Sequence, residues 1–226
     1  MPGASFCVGA ISMASSVFLS IYVQVVMGRA ASVAAWVLMA MSVSWTLGSL
    51  GGGRLMLRTS YRTAVGMGGV WLLPGVLVLI LLDPARGPIW AAAGGFLIGI
   101  GLGFMNNTFT VAVQASADFR QRGVATSSTV FMRIMGQTVG SAAYGGILNV
   151  GLAGHVSAGS DVVNRLMDPA LRRSLPESAV APFIAAVAGA LHNVYLIEGA
   201  VALIALSTAL CLPAGLSPHG KKSAAP

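Results

Sequence analysis

Residues 125–152 read ATSSTVFMRIMGQTVGSAAYGGILNVGL, an apolar run whose one charge, Arg133, stands well inside it. A guanidinium costs about 2.5 to 3.5 kcal/mol to place at the centre of a membrane helix, so such a charge faces a partner or a water-filled cavity and not lipid. About 20 apolar residues cross the hydrocarbon core, and this run is longer than that. The segment is therefore read as a membrane helix with a functional inner face, and Arg133 as the first candidate site residue.

The rest of the chain agrees with that reading. Hydrophobic residues make up 56% of it and charged residues 8%, with a mean hydropathy of +0.82, whereas a soluble domain is about 25% charged. Its 29 glycines suit membrane helices that approach one another closely. The net charge of +7 comes from 13 basic residues scattered between apolar runs. They form no stripe, so the expected partner is the bilayer and not a nucleic acid. Cys7 and Cys211 fall in separate apolar segments, which points to neither a disulfide framework nor a metal site. The first charge is Arg29, so residues 1–28 are read as a spanning helix rather than a cleavable signal.

Six segments reach spanning length, approximately 5–27, 32–52, 63–82, 88–114, 124–150 and 189–212, within a single transmembrane domain over 1–226. Turn and charge signals separate them at Gly28-Arg29, Arg54 to Arg62, Asp83 to Pro88 and Asp118 to Gly123, and short breaks make neighbours antiparallel. Arg54, Arg58, Arg62, Arg120, Arg122, Lys221 and Lys222 collect on one side, which the positive-inside rule makes cytoplasmic. Both termini then lie inside a bacterial inner membrane, with 213–226 as a cytoplasmic tail and 151–188 as an outer loop. Within that loop Asp168-Pro169, followed by Leu171 and Leu175, predicts a short interfacial helix, and Pro182 opens a helix leading into the last span. Gly95, Gly99 and Gly103, Gly136 and Gly140, and Gly48 and Gly52 recur every fourth residue, which places each set on one face for close helix packing.

Few polar residues lie within the spans: besides Arg133 there are Glu198, Gln137, Asn106, Asn107, Tyr22 and Gln24. Gln137 is one turn from Arg133 on the same face. Arg133 and Glu198 each lie about 13 Å from opposite ends of their spans, which in a core of about 30 Å leaves about 4 Å between their levels. The two are therefore expected within reach of each other. Such a pair is either a structural ion pair or a carboxylate that exchanges a proton, and both readings stand. An enzyme is not expected: no Gly-x-Ser-Gly accompanies His192, and there is no His-Glu-x-x-His, phosphate loop or Cys/His cluster, hence no cofactor or metal.

Several motifs together resemble a known family. They are Tyr22-Val23-Gln24 with Val26-Met27-Gly28, Gly53-Arg54-Leu55 with Arg58, Arg122-Gly123-Val124-Ala125, and Arg133-x-x-Gly136-x-x-x-Gly140-x-Ala142-x-x-Gly145. In order and spacing they are similar to the C-terminal half of major facilitator superfamily drug:proton antiporters of the fourteen-helix EmrB/QacA type. The resemblance implies an all-α membrane protein, a six-helix bundle that forms half of a transporter. It also implies multidrug efflux by alternating access, a small-molecule substrate exchanged for protons, and a second six-helix half supplied by a separate chain or a homodimer. Arg133, Glu198, Gln137, Asn106, Asn107, Tyr22 and Gln24 are then candidates for the substrate or proton pathway. The family's loop signature, Gly-x-x-x-Asp-Arg-x-Gly-x-Arg, reads here Gly53, Leu57, Arg58, Ser60 and Arg62, so its Asp and second Gly are replaced. Glu198 stands where the family is usually apolar. A non-transporting fragment or accessory membrane protein that needs a partner half is the other reading.

Overall fold

In hydrocarbon a chain must satisfy every backbone N–H and C=O internally, so apolar runs of this length fold as helices. The computed structural model describes residues 2–153 and 177–210, which hold six long helices and no strand. They are α1 (Pro2–Ile21), α2 (Ala31–Met56), α3 (Tyr61–Ile80), α4 (Pro88–Ser116), α5 (Arg122–Ala153) and α6 (Glu177–Leu210). α1 runs on into a π turn, Tyr22–Val26, and Gly28 at φ 61° ends it in the left-handed region that favours glycine.

The helices match the six predicted segments in order, with ends shifted by a few residues except at α6. That helix begins at Glu177, twelve residues before the predicted start at 189, so the outer loop is shorter than expected. Pro182 lies inside it. A proline this near a helix start forfeits one bond to the first turn, and the alanines at 179, 181, 185, 186 and 188 are strong helix formers. The predicted interfacial helix after Asp168, Cys211 and the tail 213–226 lie outside the described residues.

Five of the helices are long and apolar enough to cross a membrane, and α5 is not among them. At 32 residues α5 has the length, but Arg122, Arg133 and a row of hydroxyl and amide side chains make it more polar than the rest.

The connections from α1 to α5 are short and locally determined. Ser60 caps α3 by accepting the Thr63 N–H at 3.3 Å. Asp83 accepts from the Ala85 N–H at 2.9 Å, Gly87 adopts φ 77°, and Pro88 opens α4. Arg86 lies over the Trp90 ring, 5.2 Å from its centroid, the arrangement expected where a helix end meets headgroups.

α1 occupies the middle of the bundle, packed against α5, α6 and α4, while α4 packs against α2 and α3. Its core includes Ile11, Leu19, Leu72, Ile98, Leu102 and Leu191, all fully buried. Small residues set the helix spacing. A Cβ at Gly9 of α1 would collide with the Arg133 carbonyl of α5, and one at Gly136 of α5 with the Phe6 carbonyl of α1. Gly140 sits against Ala10. Across the α2–α4 seam, Gly48 meets the Ile100 carbonyl, Gly99 the Ser44 hydroxyl and Gly103 the Trp45 carbonyl, all closer than any side chain would allow. Gly95 and Gly52 are looser, 3.2 Å from Leu19 and 3.3 Å from Phe104 for an added Cβ.

Candidate functional site

The polar residues of the spans gather along α1. The glycine contacts at Gly9, Gly136 and Gly140 bring α5 onto α1 backbone to backbone, and this fixes where the side chains of that α5 face project. Arg133, half-buried, donates from Nη1 to Oδ1 of Asn106 on α4 at 3.2 Å, while its Nε is buried without a partner. One turn along α5, the Gln137 amide lies 3.5 Å from the Ser12 hydroxyl of α1, which itself donates to the Gly9 carbonyl at 2.8 Å. Asn107, 100° further round α4, leaves this cluster and donates to the Ser49 carbonyl of α2 at 2.9 Å.

Glu198 is fully buried on α6. The Ser15 hydroxyl of α1 donates to its Oε1, and its Oε2 is buried without a partner. The predicted approach of Arg133 to Glu198 is not made. Arg133 packs at the level of Gly9 and Glu198 at the level of Ser15, six residues apart along α1. That is about 9 Å of rise and about 120° of turn, not the 4 Å estimated from the ends of the spans. The estimate assumed segment ends at equal depth, whereas the register is set by the glycine contacts and by the early start of α6.

Tyr22 is buried, and its hydroxyl donates to the Leu82 carbonyl at 3.0 Å, tying the end of α1 to the end of α3. Gln24 donates to the Ser20 hydroxyl at 2.9 Å. Of the loop signature, Arg58 and Arg62 are exposed and Gly53 lies beside the Asn107 amide. Ser60, in place of the signature's second glycine, is the α3 cap. Thus Arg133, Asn106 and Gln137 share one cluster, Glu198 belongs to another, and Asn107 and Tyr22 clip helices together.

Reading the sequence missed the α1 hydroxyls Ser12, Ser15 and Ser16, and Tyr195 one turn before Glu198. Their signal was present: serines three and four apart mark one face of an otherwise apolar helix. Ser16 also borders a cleft of about 370 Å³ between α1 and α2, lined by Leu38, Met41, Ser42 and Trp45. A second, open cleft of about 820 Å³ lies along the start of α5, where Gln114 donates to Thr126 at 3.1 Å beside Arg122 and Phe131. Apolar walls with hydroxyls, amides and a guanidinium can hold amphipathic molecules by burial while fixing their polar ends. No group of side chains able to hold a metal occurs among the described residues.

The chain is 28% identical over 213 residues to a major facilitator superfamily-type transporter of Mycobacterium tuberculosis, covering 92% of this chain and 31% of that protein. It is 26% identical over 208 residues to multidrug resistance protein 3 of Bacillus subtilis, covering 85% of this chain and 41% of that one. It therefore spans about a third to two fifths of the length of these relatives. The crystal structure of the E. coli fucose:proton symporter superposes with a TM-score of 0.68 at 15% identity, over 99% of this chain and 52% of that one, so the fold is that of about half of such a transporter. With residues 3–141, more than half of its length, matching the model of the Major Facilitator Superfamily, the chain belongs to that family.

Proposed function

We propose that the chain works as one half of a proton-coupled multidrug efflux antiporter in a bacterial inner membrane, with both termini cytoplasmic. The observation that carries this reading is the Arg133–Asn106 contact beside Gln137 and Ser12: a guanidinium inside the bundle, half-buried and held by neutral partners. A charge placed there without a counterion is costly in a merely structural helix, yet suits a cavity that alternates between the two sides of the membrane. The names of the B. subtilis relatives, multidrug resistance protein 3 and a multidrug transporter protein, support the drug class. The basic residues at the α2–α3 and α4–α5 connections, Arg54, Arg58, Arg62, Arg120 and Arg122, support the orientation.

A second six-helix half completes the cavity. Trp36, Met39, Val43, Leu47 and Leu50 form one exposed apolar stripe on α2, and Phe131, Ile134, Met135 and Val139 form another on α5. These are the faces on which the partner half would sit, with the transport path between the two.

The test is co-expression with a complementary six-helix half in bacteria lacking their own drug pumps, scored by retention of a fluorescent cationic dye. The pair should lower dye retention and each half alone should not. Arg133→Lys in the pair should abolish most of the efflux at normal expression, because an ammonium cannot reproduce the planar donor fork. Efflux that is untouched by Arg133→Lys would remove the cavity role.

A further inference from the structure

Glu198 lies apart from the Arg133 cluster, in surroundings of a different kind. It is fully buried, and its level at Ser15 is close to the middle of the apolar stretch Gly3–Val26 of α1. The groups facing it can be named from each helix around it. α1 supplies the Ser15 hydroxyl, bonded to Oε1, with Tyr22 further along. α5 supplies Tyr144 and α6 itself Tyr195, both near enough for the carboxyl to act on them electrostatically. From α3, Val76 and Ile80 border the neighbouring Gly199. Among the described residues no cation pairs with Glu198.

A carboxylate so placed would be a buried charge with one neutral partner, which costs several kcal/mol. The neutral acid is the form these surroundings accept, and the proton then belongs on Oε2, the oxygen without a partner. Between Glu198 and the α3–α4 loop stand two tyrosines, joined by hydrogen bonds neither to each other nor to Glu198. The Tyr195 hydroxyl, one turn from Glu198, is buried and also lacks a partner. The Tyr195 ring lies 6.4 Å from that of Tyr22, and the Tyr22 hydroxyl reaches the Leu82 carbonyl next to Asp83 in the loop. On the other side Ser15 is one turn from Ser12, where the Gln137 and Arg133 cluster begins.

We propose that Glu198 is a proton-binding site of the bundle, loaded from the α3–α4 loop by way of Tyr22 and Tyr195. One O–H bond forms on Oε2 when the proton arrives and the same bond breaks when it leaves, so the site changes by one charge and nothing else is consumed. Its use in coupling rests on the transporter reading above, but the binding and exchange of the proton do not.

The experiment is infrared spectroscopy of the whole chain in lipid bilayers, grown with carbon-13 glutamate. Glu177 and Glu198 are its two glutamates, so the Glu177→Gln chain carries Glu198 as its one labelled side-chain carboxyl. At neutral pH it should show a labelled neutral-carboxyl C=O band, absent when Glu198→Gln is added. That band should move to lower frequency in heavy water, and Tyr195→Phe should slow the move at least several-fold. If Glu198→Gln prevents folding, Glu198→Asp serves instead, because the aspartate carries no label and the band again disappears. A labelled carboxylate in place of the neutral band overturns the proposal, as does a neutral band that never exchanges in the folded chain. Exchange at an unchanged rate in Tyr195→Phe overturns the route. None of these readings needs drug transport, so loss of efflux in the paired assay and failure here are told apart.

Discussion

At the residue scale the two ionisable groups within the bundle, Arg133 and Glu198, are independent of each other. Arg133 is bonded to Asn106 and Glu198 to Ser15, on different sides of α1. Sites more than about 7 to 10 Å apart without shared partners usually combine additively, within about 0.5 kcal/mol. The stability effects of Arg133→Gln and Glu198→Gln should therefore add within that margin in a double-mutant cycle, measured by denaturant titration in mixed micelles. Arg133→Gln with Asn106→Ala should couple by more, since hydrogen bonds to charged groups contribute about 1.5 to 3 kcal/mol. A strong coupling between Arg133 and Glu198 would mean that the two pair in the membrane after all. From sequence alone the identities of these residues were legible but their pairing was not, because depth counted from the end of a segment carries the error in that end. A three-residue shift moves a side chain about 4.5 Å along the helix and about 60° around it.

At the element scale, the glycines spaced by four showed which faces of α2, α4 and α5 pack, but not which helix each face meets. Gly99 and Gly103 against α2, and Gly136 against α1, are contacts of backbone with backbone. Overpacking a filled site costs about 1 to 3 kcal/mol or more. Gly99→Leu should therefore lower the thermal stability of the detergent-solubilised chain sharply or prevent its accumulation. Val70→Leu, on an exposed face of α3, should change it little. Equal melting of the two variants would contradict the seam. The polarity of α5 is underestimated when the stretch is read as an apolar run, since its hydroxyls and amides together with Arg133 keep the helix short of a simple apolar span. The start of α6 was legible only in part: Pro182 reads as opening a helix, whereas the alanines beside it sustain one from Glu177 through the proline.

At the scale of the whole molecule, α1 to α5 are joined by short turns and alternate in direction, and the basic residues at the α2–α3 and α4–α5 connections then share one side. Cysteines introduced at Ser60 should react with impermeant reagents only from the cytoplasm, and those at Asp83 only from outside. Labelling of position 60 in intact cells would reverse the orientation. The distribution of the tightest glycine contacts has a mechanical consequence. They lock α1 to α5, and α2 and α3 to α4, at backbone distance, and backbones in contact can neither slide nor separate by small steps. The pair α1–α5 and the set α2–α3–α4 must then each move as one stiff beam during any conformational cycle. The compliance of the machine would have to lie where larger, softer side chains separate the beams from each other and from the partner half.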